Sequence, residues 1–155
     1  MVKDGSAAPD VELQLDDGRK QRLSSLKGRV VVLYFYPKDD TSGCTLEAKD
    51  FTNLLPQFKK AGVEVIGISP DGSDSHRKFR EKHDLKVPLA SDPDKKVAQA
   101  FGVWVEKSRY GRTYMGVDRS TFLIDGKGRI VRSWRGVKVP GHAEEVLAAA
   151  RAMAS

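Results

Sequence analysis

The chain has 155 residues, a length that suits one domain with its own hydrophobic core. Hydrophobic residues make up 39% and charged residues 31%, the balance of a globular protein, and we expect neither a low-complexity segment nor a membrane span. The formal net charge is +6, but the basic residues are spread out, without zinc-finger spacing, a basic helix or an RNA-binding aromatic motif. We therefore expect no nucleic-acid partner.

The single cysteine, Cys44, excludes a structural disulfide within the chain and favours a reducing compartment. The N-terminal segment contains no apolar core of signal-peptide length. We expect a cytoplasmic protein in which residues 1–155 form one domain, because no repeat or linker divides the sequence.

The N-terminal segment predicts a small β-hairpin, in which VELQL alternates, DDG turns and RKQRLSSL resumes. The next segment, VVVLYFY over 30–36, has no polar break. Such a run is typical of a strand buried on both faces of a parallel sheet, and Pro37 ends it.

A long amphipathic helix is predicted after the polar loop. Thr41 or Ser42 caps its free N–H groups, and Gly62 suits a left-handed stop at its end. Pro56 lies within the pattern, so we expect a kink or a break just before it. The apolar stripe of this helix consists of Cys44, Ala48, Phe51, Leu55 and Phe58.

The remaining elements alternate and then end in an antiparallel pair. VEVIGIS over 63–69 predicts a second core strand, 73–83 a second helix, and the segment after SDPD a short third helix with Val97, Ala98 and Phe101 inward. RSTFLID and RIVRSWR flank the turn GKG as a hairpin, and 141–153 forms the last amphipathic helix. The order predicts an α/β protein with a thioredoxin-like fold, a mixed central sheet flanked by helices on both faces.

Other polar residues give little indication of a second site. His76, His83 and His142 are far apart and lack neighbours at ligand spacing, so we interpret them as surface histidines and expect no metal. No glycine-rich phosphate loop occurs, so we expect no cofactor. Trp104, Tyr110 and Tyr114 surround a basic loop that either frames the active-site entrance or covers the core, and we expect Trp104 to pack on the core.

Cys44 allows two interpretations. Free cysteine is among the most buried residue types, so a place on an apolar stripe favours inert packing. However, Cys44 falls in the first turn of its helix, where unpaired N–H groups and the helix dipole favour an anion such as a thiolate. Gly43 permits close approach to the sulfur, and this loop follows a core strand, where α/β sheets bind ligands.

The residues around Cys44 resemble a known family. Pro37, Thr41 and Cys44 have the spacing P-x-x-x-T-x-x-C, which is similar to the active-site signature of peroxiredoxins. FYPKDDTSGCTLEAKDF resembles the peroxiredoxin Q, or bacterioferritin comigratory protein, branch, as do GISPD, PLASDPDKKVAQAFGV, RSTFLID and VPGHAEEVL. The resemblance covers nearly the whole chain.

The resemblance implies a role for each matching residue. Cys44 is then the peroxidatic thiolate that becomes sulfenic acid. Thr41 binds the peroxide, Arg119 polarises it, and Pro37 shields the sulfur from water. The N–H groups of Gly43 and Cys44 complete the donor set. Glu47 matches the branch as well, where it either helps to hold Arg119 or the helix N-terminus or is a solvated first-turn carboxylate.

The second cysteine of many members of this branch, five positions after the first, is replaced here by Lys49. A one-cysteine peroxiredoxin is therefore implied: a monomeric thiol peroxidase for hydrogen peroxide and small organic hydroperoxides. An external thiol, such as thioredoxin, glutathione with glutaredoxin or another low-molecular-weight thiol, must reduce its sulfenic acid. The alternatives are a redox-sensing or chaperone-like binding protein with little turnover, and a nucleic-acid-binding protein with an inactive core.

Overall fold

The structure is a computed structural model and describes residues 2–154. Its strands are β1 (Glu12–Leu15), β2 (Lys20–Arg22), β3 (Val30–Phe35), β4 (Val63–Ser69), β5 (Leu89–Ser91), β6 (Trp104–Arg109), β7 (Arg112–Val117), β8 (Ser120–Ile124) and β9 (Ile130–Trp134). The helices are α1 (Ser42–Lys60), α2 (Ser73–His83), α3 (Lys96–Ala100) and α4 (His142–Ala154), with a short 3₁₀ helix at Leu23–Leu26.

Seven strands form one mixed sheet in the order β2-β1-β5-β4-β3-β8-β9. The long apolar strand β3 pairs in parallel with β4 and antiparallel with β8, so it lies inside the sheet and is buried as its sequence predicts. The N-terminal hairpin is confirmed, and β1 also pairs with β5, which joins the hairpin to the main sheet. The predicted thioredoxin-like arrangement is therefore confirmed.

Alternate residues of β3 enter two different cores. Val32 and Tyr34 pack on the face that α1, α2 and α4 cover. Leu33 and Phe35 pack on the opposite face, with Phe101 after α3. This alternation follows from the pleat of the strand, which turns successive side chains to opposite faces. Helices cover both faces, as predicted.

Helix α1 is continuous across Pro56. Of the expected kink or break, the break is therefore wrong, although proline removes one backbone hydrogen bond. Leu55 and Phe58, on either side of Pro56, are buried in the core, and this packing outweighs the lost bond because tertiary contacts supply most of a helix's stability. Gly62 follows the helix with a φ of +76°, which confirms the left-handed stop.

The basic segment between α3 and β8 differs from the prediction. Instead of a loop, β6 and β7 form a separate two-stranded antiparallel sheet. Trp104 packs partly buried against the core, as predicted, whereas Tyr110 and Tyr114 are exposed. The two strands were not predicted because most of their side chains face solvent. Their sequence therefore lacks the alternation of apolar and polar residues that marks a half-buried strand.

Candidate active site

Cys44 lies in the first turn of α1, directly after the loop that leaves β3. Its side chain is buried, with 1% of its surface exposed. Thr41 is the N-cap, and Thr45 N–H donates to the Thr41 carbonyl at 2.8 Å as the first helical bond. The N–H groups of Ser42, Gly43 and Cys44 therefore precede the helical ladder, where the backbone presents positive charge to the sulfur.

Arg119 reaches the sulfur from the position just before β8. Its Nη2 donates to Cys44 Sγ at 3.2 Å. The sheet register explains the meeting, because Ser120 of β8 pairs with Phe35 of β3, so Arg119 lies at the end of the sheet where the Cys44 loop begins. The sequence singled out both residues, and the structure brings them together across 75 positions of the chain.

Glu47 holds the other side of the Arg119 guanidinium. Arg119 Nη1 donates to Glu47 Oε1 at 2.6 Å, and the Glu47 side chain is only 1% exposed. Of the two interpretations of Glu47, the structure bears out the one in which it holds Arg119. The second carboxylate oxygen, Glu47 Oε2, is buried, and no described residue donates a hydrogen bond to it.

Burial and the ion pair shift the pKa values of Glu47 and Arg119 in opposite directions. Burial raises the pKa of Glu47 to about 7, although the charge of Arg119 and its hydrogen bond pull it down. Burial by itself lowers the pKa of Arg119, but the charges of Glu47 and Cys44 outweigh it, so that pKa is raised. The guanidinium stays charged, while Glu47 titrates near neutrality.

Gly43 makes room for the guanidinium. A Cβ at this position would lie 3.3 Å from Arg119 Nη2, closer than most side-chain contacts. The close approach expected of Gly43 is therefore confirmed. Pro37 is half-buried at the start of the loop. Thr41 is exposed, and its hydroxyl donates to the Lys38 carbonyl at 2.9 Å.

The histidines required correction. His76 is fully buried, and His142 is 5% exposed, so the prediction of surface histidines is wrong for both. His142 Nε2 lies 2.8 Å from Thr121 Oγ1, and burial, the first of several causes, lowers its pKa. His83 is half-buried, with Nε2 2.8 Å from Asp40. No hydrogen bond recorded among residues 2–154 joins any of them to Cys44.

Sequence reasoning missed a buried polar network in the loop before Cys44. The carboxylate of Asp39 accepts from Tyr36 Oη at 2.6 Å, from Ser75 Oγ at 2.8 Å and from His76 Nδ1 at 2.7 Å. His76 Nε2 donates to the Ala90 carbonyl at 2.9 Å. Both ring nitrogens thus have hydrogen-bond partners, and Nδ1 joins His76 to Asp39. The network ties the active-site loop to α2 and β5.

A local signal for His76 did exist. It precedes Phe79 by three positions and His83 by seven, which places all three on one face of α2. Among residues 2–154, no cluster of three potential metal ligands occurs. Nor is any helix in that range both long and apolar enough to cross a bilayer.

Comparison with known proteins identifies the family. The AhpC/TSA family model matches residues 5–133. Peroxiredoxin Bcp of Bacillus subtilis (strain 168) is 49% identical over 146 residues, which cover 94% of this chain and 93% of that protein. The chain belongs to the peroxiredoxins. This peroxiredoxin is also 42% identical to peroxiredoxin Bcp of Escherichia coli (strain K12) over 94% of each chain.

Solved structures support the same branch. Xanthomonas campestris peroxiredoxin Q matches with a TM-score of 0.89 and 46% identity, over 94% of this chain and 92% of that one. A structure of the bacterioferritin comigratory protein of the same organism matches with a TM-score of 0.92 and 43% identity, over 99% and 100%. The resemblance read from the motifs is confirmed, and Cys44, the only cysteine, makes this peroxiredoxin one of the one-cysteine type.

Proposed function

We propose that this thiol peroxidase reduces hydrogen peroxide and small organic hydroperoxides through a sulfenic acid on Cys44. The observation that carries the proposal is the 3.2 Å contact between Arg119 Nη2 and Cys44 Sγ. A fixed cation and the helix N-terminus favour the thiolate, which is the nucleophilic form. The Xanthomonas campestris relative was studied for alkyl peroxide reduction, which supports the substrate class.

The reaction uses the Cys44 thiolate and two sets of hydrogen-bond donors, the Arg119 guanidinium and the backbone N–H groups of Gly43 and Cys44. The Cys44 sulfur attacks one peroxide oxygen and the O–O bond breaks. That oxygen stays on sulfur as sulfenic acid, and the other leaves as water or an alcohol after taking a proton. Negative charge develops on the departing oxygen. We assign Arg119 and the N–H groups of Gly43 and Cys44 to stabilise it, because they are in place before the reaction starts.

Thr41 and Pro37 shape the entrance in this proposal. The Thr41 hydroxyl donates its hydrogen to the Lys38 carbonyl, so the lone pairs of its oxygen are free to accept a hydrogen bond from the peroxide O–H. Half-buried Pro37 excludes water from the sulfur and offers no N–H of its own. Together these residues orient the substrate, while Arg119 supplies charge.

Recycling needs a thiol from outside the chain. Cys44 is the only cysteine, so no second thiol in the chain can attack its sulfenic acid. An external thiol forms a mixed disulfide with Cys44 and releases water. A second thiol then displaces the Cys44 thiolate. Thioredoxin, glutathione with glutaredoxin and other low-molecular-weight thiols are the candidate reductants.

We further propose that residues 1–155 form one domain that functions as a monomer in the cytoplasm. The N-terminal hairpin belongs to the main sheet, and a β-bridge joins Ala7 to Arg129, the residue before β9. A reducing compartment would supply the thiols that the sole cysteine needs.

Dimedone trapping with intact-mass detection tests the proposal. Reduced protein mixed with about one equivalent of hydrogen peroxide should give a near-complete Cys44 adduct within about a second. Cys44→Ser should give none. Multiple turnovers with thioredoxin, glutathione plus glutaredoxin or dithiothreitol should follow. A thiol that survives for minutes contradicts the proposal, and rapid trapping without turnover by any of these thiols favours the redox-sensing alternative.

A further inference from the structure

The two-stranded sheet of β6 and β7 projects from the main fold as a hairpin. Its tip is Tyr110 and Gly111, with φ of +52° and +75°, as in the tight turns that close twisted hairpins. Cross-strand partners share a face, and the register pairs Lys107 with Tyr114 and Arg109 with Arg112. We call these four residues the basic face.

The basic face is held open by a glycine at its base. A Cβ on Gly116 would lie 3.3 Å from the Lys107 Cδ atom and 3.5 Å from the Tyr114 Cε2 atom. Both side chains therefore lie across Gly116, which keeps Lys107 half-buried beside the Tyr114 ring. Arg109 lies over the ring of Tyr110, with 5.4 Å between its guanidinium carbon and the ring centre.

The cations of this face have no anionic partner in the described part of the chain. The ion pairs recorded among residues 2–154 include neither Lys107 nor the two arginines. Arg109 and Arg112 stand directly opposite each other, an arrangement that costs stability because like charges repel. The hairpin acid Glu106 pairs with Met115 and points to the other face.

The hairpin leaves the fold at the active-site end of the sheet. β7 leads through Asp118 to Arg119, and Asp118 N–H donates to the Val103 carbonyl at 2.8 Å, which fixes the base of the hairpin. Because Ser120 pairs with Phe35, this base lies at the end of β3 that delivers the Cys44 loop. A partner on the basic face is thus brought to the end of the sheet where Cys44 lies.

We propose that the basic face docks an acidic protein dithiol that reduces the Cys44 sulfenic acid. The inference rests on the proposed function, since the one-cysteine chemistry requires a thiol from outside. Unpaired arginines beside exposed tyrosines are typical of protein-binding hot spots, and complementary charge speeds encounter. A nucleic acid would match the charge but would bring no thiol to Cys44.

The docked partner completes the redox step with its own two thiols. Its first thiolate attacks the Cys44 sulfur, a disulfide forms between the proteins, and the sulfenic oxygen leaves as water. The second thiolate attacks the partner's own sulfur in that disulfide and releases the Cys44 thiolate. The peroxiredoxin returns to its reduced state, and the partner leaves with an internal disulfide.

The test compares two reductants on one variant. Lys107→Glu/Arg109→Glu/Arg112→Glu should lower kcat/KM for an acidic thioredoxin by about tenfold or more at low ionic strength. The loss should shrink as salt is added. kcat/KM for dithiothreitol should stay unchanged, because a small neutral thiol needs no docking surface. The milder variant with three glutamines should show a smaller loss in the same direction.

A matched control is available at the opposite end of the sheet. Lys20 starts β2, Lys27 precedes β3, and Lys127 lies in the turn after β8. Their triple glutamate variant makes the same change in charge, and it should keep both rates. Equal effects of the two triple variants would overturn the docking proposal, as would no effect of either or no turnover by acidic thioredoxin.

Two further results separate this inference from the proposed function. If dimedone labels Cys44 rapidly and dithiothreitol supports turnover, but the basic-face variant keeps its rate with acidic thioredoxin, only the docking surface is wrong. If the variant keeps that rate but loses salt-sensitive binding to a fluorescent RNA 12-mer, the docking proposal is overturned in favour of a nucleic acid. Failure of rapid dimedone labelling in the wild-type protein instead refutes the peroxidase site itself.

Discussion

Two buried ion pairs flank the loop and first turn that present Cys44, and they are built differently. In the pair of Asp39 and His76, three donors reach the carboxylate, and both ring nitrogens have partners. In the pair of Glu47 and Arg119, one carboxylate oxygen has no partner among the described residues, and the guanidinium is shared with the sulfur. The pair of Asp39 and His76, whose polar atoms all have partners, holds the loop in place. The pair of Glu47 and Arg119 leaves part of the guanidinium charge free to act on the Cys44 sulfur.

The largest loss of stability is expected on substitution of His76. His76→Ala should lower the free energy of unfolding by about 3–5 kcal/mol, because it leaves the buried Asp39 carboxyl without its partner at Nδ1. Urea unfolding followed by circular dichroism measures the change. A loss below about 1 kcal/mol, within the range of an exposed pair, would show that the network does not anchor the loop.

Glu47 gives a smaller effect with a defined pH dependence. Its pKa rises from 4.5 to about 7 in the fold, so the native state holds the proton more tightly than the unfolded chain does. The resulting stabilisation is complete below about pH 4.5 and is lost as the pH rises through 7. Relative to Glu47→Gln, the wild-type protein should lose about 3 kcal/mol between pH 4.5 and 8.

Urea unfolding of both proteins at several pH values measures that difference. The amide of the Glu47→Gln variant cannot ionise, so groups other than Glu47 largely cancel in the comparison. A flat difference would mean that Arg119 keeps Glu47 charged throughout, and a rise in relative wild-type stability with pH would reverse the assigned roles of burial and ion pair.

The smallest loss of stability is expected for His83→Ala, which serves as the exposed-pair control for His76→Ala. Its partner Asp40 is 41% exposed and also pairs with Lys82. His83→Ala should therefore cost about 0–1 kcal/mol in the same unfolding experiment. A cost equal to that of His76→Ala would remove the contrast between buried and solvated pairs.

The elements that could be predicted from the sequence are those whose hydrophobic residues recur with the period of a helix or strand because one face is buried. β3, β4 and α2 occupy their predicted ranges to within a residue, because apolar runs and helix signals are local. The hairpin of β6 and β7 was missed because charged strands exposed to solvent have no such pattern. Its turn residues, Tyr110 and Gly111, were the only local sign.

Some residues of the candidate site could also be predicted from the sequence and others could not, according to how far apart in the chain they lie. Cys44, Thr41 and Pro37 lie together in the chain and could be proposed from one motif. Arg119 could be proposed only through the family resemblance, since its contact with Cys44 spans 75 positions. The partnership of Asp39 and His76 spans 37 positions. A single sequence contains no signal that links such distant polar residues, so the network became visible only in the fold.

We propose that Arg119, held by Glu47, activates Cys44. Stopped-flow measurement of Cys44 oxidation by hydrogen peroxide tests this role by comparing wild type with Arg119→Ala and Arg119→Lys. The alanine variant should react about 10²–10³-fold more slowly. Lysine should restore part of the rate, because a point charge cannot contact both sulfur and carboxylate as the fork of arginine does. Equal rates in wild type and a folded alanine variant would contradict the claim.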